Sequence, residues 1–243
     1  MTTIDAQSLD FRQLNQRIRG ERDREITVAH CLGQRYIASG LSGRRIVIEG
    51  TPGNALGAYL DGCELIVRGN AQDATGDTMN DGSIVIHGSA GDATGYAMRG
   101  GTIFVEGDTG YRAGIHMKAY KGKRPALVVG GTAGSFLGEY QAGGTIVVLG
   151  LGRRTGGKAP VGNFCGTGMH GGRIYLRGEG ALPNLPAQVS EARASDAEMA
   201  DIRPLLEAFC ATFGHKMEEL LAEPFQVLKP DTKNPYKQLY TAN

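Results

Sequence analysis

Residues 82–114 read GSIVIHGSAGDATGYAMRGGTIFVEGDTGYRAG. Glycine stands at positions 82, 88, 91, 95, 100, 101, 107, 110 and 114. Phosphate-binding loops and flexible linkers are also glycine-rich, so spacing must decide between chemistry and geometry. Two apolar triplets, Ile84–Ile86 and Ile103–Val105, each close on x-Gly, at Gly88 and Gly107, 19 residues apart. Working outward, the same unit recurs as IVIEG (46–50), LIVRG (65–69), LVVGG (127–131), IVVLG (146–150) and IYLRG (174–178). The closing glycines at 50, 69, 88, 107, 131, 150 and 178 step by 19, 19, 19, 24, 19 and 28 residues. That is one 19-residue period with insertions of five and nine residues. A second pattern, G-x-x-G-x-x-x-G, follows the triplets at Gly50/Gly53/Gly57, Gly88/Gly91/Gly95, Gly107/Gly110/Gly114 and Gly131/Gly134/Gly138.

A repeat this short excludes helix pairs (over ~30 residues) and propeller blades (about 40). A leucine-rich repeat is excluded by the missing leucine frame and by too much glycine for a helix. One coil of a parallel β-helix fits, since short strands joined by tight corners use the backbone freedom of glycine. Stacking makes a further demand: the same position of every coil must be apolar. Ile46, Leu65, Ile84, Ile103, Leu127, Ile146 and Ile174 align, as do Ile48, Val67, Ile86, Val105, Val129, Val148 and Leu176. Half a coil away runs Leu60, Met79, Met98, Met117, Gln141, Met169, with the methionines acting as adaptable filler. Outward positions Glu49, Arg68, His87 and Glu106 mix signs, as neighbouring strands prefer. The expected fold is all-β: a right-handed parallel β-helix of about seven coils.

Composition divides the chain. Of 38 glycines, 35 fall in residues 40–180. This predicts an N-terminal cap (1–39), the repeat domain (40–180), and C-terminal helices with an extended arm (181–243). Open coils expose strand edges that need covering. In the leader, Ser8 or Asp10 suits an N-cap, Phe11, Leu14 and Ile18 share a face, and EITVAH (25–30) suits a strand. In the tail, Ser195 and Glu198 form a capping-box signature. The helix they open is expected to run to Gly214, with a kink or break at Pro204, and a shorter helix follows over 215–223. Residues from Phe225 on read as an extended arm, either disordered or laid on a partner, and the tyrosines at 236 and 240 favour the docked arm.

Net charge is +1 and there is no apolar run of membrane-span length, which argues against nucleic acid and membrane partners. Cys31, Cys63, Cys165 and Cys210 are far apart, which fits free thiols in a reducing cytoplasm and supplies no metal or cluster motif. GRRTGGK (152–158) approaches a phosphate loop, but Ala159 and Pro160 follow where Ser/Thr and a helix are required. GTGMHG (166–171) precedes a strand instead of following one, so the dinucleotide reading fails. Among the histidines at 30, 87, 116, 170 and 215 no metal spacing appears. His116 and His170 adjoin the methionine ladder, where they either flank one groove or serve as corners without a role. Both insertions are basic: Lys118, Lys121, Lys123 and Arg124 in the first, Arg153, Arg154 and Lys158 in the second. These cations, with Tyr236 and Tyr240, are candidate partner contacts. No catalytic, cofactor-binding or metal-binding residue is indicated, and the glycines read as structural corners. A polysaccharide-cleaving β-helix would present clustered carboxylates along one face, which the mixed outward positions do not.

With these features in place, DGCELIVRGNAQDATGDTMNDGSIVIHG (61–88), GYRAGIHMKAYKGKRPALVVGGTAGSFLGEYQAGGTIVVLGL (110–151) and VGNFCGTGMHGG (161–172) resemble the C-terminal β-helix domain of the glutamate synthase large subunit, the GXGXG family. The resemblance spans roughly residues 8–223, and SLDFRQLNQRI (8–18) is similar to the start of stand-alone subunits of split enzymes. It implies a non-catalytic structural subunit of a glutamate synthase or N-methylglutamate synthase complex. The implied partners are a class II glutamine amidotransferase chain and an FMN-binding synthase chain, which would carry the FMN and Fe–S cluster; no cofactor is implied for this chain. A structural chain of formylmethanofuran dehydrogenase shares the repeats, so the alternative is the structural subunit of a complex of that formyl-transfer type. The MKAYKGKRP insert favours the first. An amidotransferase nucleophile would be an N-terminal Cys, and residue 2 is Thr.

Overall fold

The computed structural model describes residues 1–152 and 159–231. Eleven strands among them form one sheet: β1 (Thr2–Asp5), β2 (Glu25–Leu32), β3 (Arg45–Thr51), β4 (Asp61–Val67), β5 (Asp81–Ile86), β6 (Thr102–Val105), β7 (Ala126–Val129), β8 (Ala142–Val148), β9 (Gly171–Arg177), β10 (Val189–Arg193) and β11 (Phe225–Pro230). Strands β1 to β9 pair in chain order and parallel, and β11 then enters between β9 and β10, antiparallel to both. The sheet does not close into a barrel. Its register is that of the repeat: Ile46, Leu65, Ile84, Ile103, Leu127, Ile146 and Ile174 lie side by side, all fully buried. A one-residue slip would turn this whole row to the opposite face, which is why the register holds through both insertions.

The segments between strands form a second bonded wall. Short parallel bridges join Ala71, Ala90, Thr109, Ala133 and Val161 in turn. Beyond them the chain takes a left-handed conformation at every second residue, as at Ala93, Gly95 and Ala97. The amides of these residues point alternately up and down the stack: Ala93 N–H donates to Tyr111 O (2.8 Å), Gly95 N–H back to Thr75 O (2.7 Å), and Ala97 N–H forward to Ile115 O (2.8 Å). Each corner is thus bonded to both neighbours, which satisfies the backbone where no regular strand exists. Between the two walls lies the principal core, with Leu60, Met79, Met98, Met117, Gln141 and Met169 all fully buried. Gln141 is accommodated there because its amide donates to Gly143 O and Gly144 O, both at 3.2 Å.

Helix α1 (Phe11–Gly20) starts at Asp10, which accepts from the Arg12 and Gln13 amides at 2.8 Å, and buries Leu14 and Ile18 in this core. Its last carbonyls are taken by Arg44, at 2.6 Å from Ile18 O and 2.8 Å from Glu21 O. The polar strand β1 was not expected; it pairs with β2 and leaves only Ile4 buried, so its sequence shows no apolar alternation.

The tail departs further from expectation. Helix α2 (Asp196–Phe213) has the Ser195/Glu198 capping box and a left-handed Gly214 at its end. It runs unbroken through Pro204, its two halves held by one apolar face. It does not cover the end of the stack. Ile202, Leu206, Phe209 and Cys210 instead cover the sheet's second face, against Ile66, Val85, Phe104, Val128, Val147 and Tyr175. These are the middle residues of the triplets, and the helix explains why they too are apolar. Helix α3 (Met217–Leu221) follows, its final turn anchored by buried Arg177, which donates to Leu220 O (2.8 Å) and Glu219 O (2.9 Å). The extended arm must be corrected over Phe225–Pro230: this is β11, with Phe225, Val227 and Leu228 buried, drawn into the sheet by the open edge of β9. Tyr236 and Tyr240 lie outside the described residues.

Candidate functional site

The glycine corners divide into two physical kinds. Gly57, Gly95, Gly114 and Gly138 are left-handed, with φ of 64°, 73°, 67° and 63°. That conformation does not itself select glycine, since Ala55, Tyr59, Ala93, Ala97, Arg112 and His116 share it. Position decides: a Cβ on Gly57 would lie 2.8 Å from Ile84 Cδ1, and one on Gly138 2.7 Å from Ile174 Cδ1, because this middle residue faces the core. The flanking left-handed positions accept side chains, as at the exposed Tyr59 and His116. Gly53, Gly88, Gly91, Gly107, Gly110, Gly131 and Gly134 are not left-handed. There a Cβ would collide with the preceding corner; on Gly134 it would meet Gly110 O at 2.7 Å, Gly110 C at 2.8 Å and Tyr111 N at 2.9 Å. Gly50 combines both reasons, with φ 117° and a Cβ driven into the Cys31 carbonyl.

The first basic insertion is only partly available to a partner. Lys123 folds back over earlier repeats, 2.8 Å from Asp81 and 3.8 Å from Asp61. The hydrogen bond to Asp81 raises the lysine pKa and lowers that of the aspartate. Lys121 rests on the Tyr120 ring at 5.2 Å. Lys118 and Arg124 are exposed and have no carboxylate partner among the described residues. Arg153, Arg154 and Lys158 lie outside the described residues.

The outward row expected to mix signs is bonded across strands, with Arg68 Nη1 3.1 Å from His87 Nε2 and His87 Nδ1 3.6 Å from Glu106. A ring ladder that periodicity did not single out stacks along the left-handed corners. His116 and Tyr140 rings are parallel at 5.1 Å, Tyr96 meets His116 edge-on at 5.9 Å, and Tyr111, Phe136 and Phe164 pack in sequence. Arg112 lies 4.6 Å from the centre of the Tyr111 ring and pairs at 2.6 Å with buried Glu139. His116 and His170 do line one groove; they are two repeats apart, with Tyr140 of the intervening repeat between them.

All four cysteines are free and buried. Burial pushes the thiol of Cys31 up to about 11 and that of Cys165 to about 12, and raises Cys63 and Cys210. Neutral thiols of this kind are poor nucleophiles and metal ligands. Among the described residues no three His, Cys, Asp or Glu side chains are placed to share a metal ion, and no helix is long and apolar enough to cross a membrane.

Comparison with known proteins agrees with the repeat. Residues 12–233 match the family described as the GXGXG motif. An uncharacterized protein of Methanocaldococcus jannaschii, MJ1350, is 44% identical over 249 residues, covering 98% of this chain and 95% of that one. Among solved structures, the formyltransferase/hydrolase complex FhcABCD of Methylorubrum extorquens, crystallised with methylofuran, contains a chain superposing with a TM-score of 0.65. The match covers 87% of this chain and 75% of that chain at 24% identity, a likeness of fold.

Proposed function

Since the chain belongs to the GXGXG motif family, we propose that it is a non-catalytic structural subunit of a glutamate-synthase-type complex. In this reading the two bonded walls are faces of a right-handed parallel β-helix of about seven coils (40–180), flanked in sequence by the N-terminal cap (1–39) and the C-terminal segment (181–243). The subunit braces a class II glutamine amidotransferase chain and an FMN-binding synthase chain in a cytoplasmic hetero-oligomer, and FMN and Fe–S cluster reside on those partners. The observation that carries the reading is how side-chain chemistry is spent. The four thiols are buried and held protonated, and the buried Glu139 is neutralised by Arg112. What the chain presents outward is a stiff ladder of corners, suited to holding other chains at fixed separation.

A second reading, a structural subunit of a formyl-transfer complex, is favoured by the likeness to a chain of FhcABCD. One experiment separates the two: purification of the tagged chain from native lysate, with identification of co-purifying chains and a flavin absorption spectrum. An amidotransferase chain with a yellow FMN-binding chain supports the first. A molybdenum or tungsten protein supports the second. The chain alone, colourless and soluble, refutes both.

A further inference from the structure

Two depressions in the surface meet at His170. One, of 400 Å³, is bordered by Arg99, His116, Lys118 and Tyr140; the other, of 620 Å³, by Arg124, Arg173 and Lys229. Their cations come from four separate parts of the chain: one repeat, the first insertion, β9 and β11. The fold, not a local sequence run, assembles them.

Their electrostatic state is uneven in an informative way. Arg173 and Lys229 are steadied from α2, by Asp201 at 3.2 Å and Glu198 at 2.5 Å. Lys118 and Arg124 have no such partner among the described residues, and Arg99 faces the Tyr120 ring at 5.9 Å instead of an acid. Among the described residues only one carboxylate, Asp231, lines either depression. A chain of net charge +1 has therefore gathered a local excess of donors along one connected groove.

We propose that this groove binds an extended, carboxylate-rich segment of a partner polypeptide. Compact anions are held by converging N–H groups, commonly at a helix N-terminus, and no helix begins here. These cations are strung out, which matches negative charges strung along a chain. Single-stranded nucleic acid is the less fitting polyanion. Base stacking needs free ring faces, whereas His116 and Tyr140 stack on each other and Tyr96 is turned edge-on to His116. The proposal rests on the subunit reading for the source of the segment, but the groove is testable without it.

The test is a titration of the full chain with a fluorescein-labelled, glutamate-rich dodecapeptide followed by anisotropy, with a glutamine peptide of equal length as control. Saturable binding of the acidic peptide alone is expected, weakening with salt as exposed charges are screened. The double variant Lys118→Glu/Arg124→Glu should lose about tenfold or more in affinity. Arg22→Glu, exposed and at the far end of the sheet, should change nothing. Both variants are checked for an unchanged thermal melt; if the double variant melts early, Lys118→Gln and Arg124→Gln replace it. Absence of saturation up to about 1 mM, equal loss in Arg22→Glu, or tighter binding of an oligothymidylate of equal charge overturns the proposal. Co-purification of the wild-type chain with its partners is scored separately. Its failure refutes the subunit reading, whereas intact co-purification with no peptide binding refutes the groove alone.

Discussion

Gly134→Ala and Gly95→Ala distinguish the two reasons for which a corner glycine is required. Gly95 has φ 73°, yet an added Cβ would meet nothing closer than 3.8 Å. Its substitution meets only the left-handed penalty, ~1–2 kcal/mol, offset in part by a less flexible unfolded chain, ~0.5–1 kcal/mol. The expected net loss is about 1 kcal/mol or less. Gly134 is not left-handed, but its Cβ would lie 2.7–2.9 Å from three backbone atoms of the preceding corner. Comfortable contact needs about 3.5 Å, so that corner must retreat by roughly 0.5–1 Å. Backbone atoms cannot yield by rotation as a side-chain tip does. The retreat strains the bonds from Gly134 N–H to Thr109 O and Gly110 O, both 3.1 Å, and from Gly162 N–H to Ala133 O, 3.0 Å. With about 1 kcal/mol per weakened bond and ~1–3 kcal/mol for overpacking, the expected loss is roughly 4–6 kcal/mol. Urea unfolding followed by far-ultraviolet circular dichroism measures both, provided the slope with denaturant is unchanged. A midpoint for Gly95→Ala as low as that for Gly134→Ala would refute the reasoning, because backbone angle, not proximity, would then be what selects glycine.

Three further outcomes follow from the tail and the thiols. Ending the chain at residue 224 removes buried Phe225, Val227 and Leu228 and bares the edge of β9; at ~1.5–3 kcal/mol per side chain it should aggregate on expression, whereas a chain ending at Asp231 keeps these contacts and should stay monodisperse by size exclusion. Glu198 is held down to about 2, chiefly by its hydrogen bond to Lys229 and then by Ser195. A lowered folded pKa contributes stability above the unfolded value, near 4.5, and loses it as pH falls toward 2. The stability gap between wild type and Glu198→Gln should therefore be full at neutral pH and close across that window in acid melts; a gap independent of pH refutes this pairing. Iodoacetamide at about pH 8 should leave all four cysteines unlabelled by intact mass until denaturant is added.

The sheet was legible because its cause is periodic. Each triplet buries its first and third residues at a fixed step, so Ile84 and Ile103 announce one another. The capping residues Asp10 and Ser195 were legible for a local reason: a short acceptor side chain precedes an apolar face. The left-handed ladder was not. Ala93, Thr78 and His116 have no common chemistry, and their conformation is imposed by bonding each corner to those of the neighbouring repeats. Strand β11 was hidden because FQVLKP lies between prolines and belongs to no repeat; only the unpaired edge of β9 gives it a place. The position of α2 was misjudged, although the apolar middle residues of the triplets already required a cover on the second face. A groove between His116 and His170 is legible from their places beside the methionine ladder, but its cations are not, because Arg99, Arg173 and Lys229 are far apart in sequence and converge only in the folded stack.

The change of direction at β9–β11 has a consequence for length. A stack of parallel strands in sequence order carries no internal limit, since every added unit presents the same edge to the next. Here an antiparallel pair from outside the repeat occupies that edge, so growth ends at a point set by the gene. Between the two termini the 19-residue unit is a spacer, and inserting or removing one changes the span by about 4.8 Å. Evolution, or an engineer, can adjust the distance between whatever is fastened at the two ends in fixed steps, without redesigning either fastening.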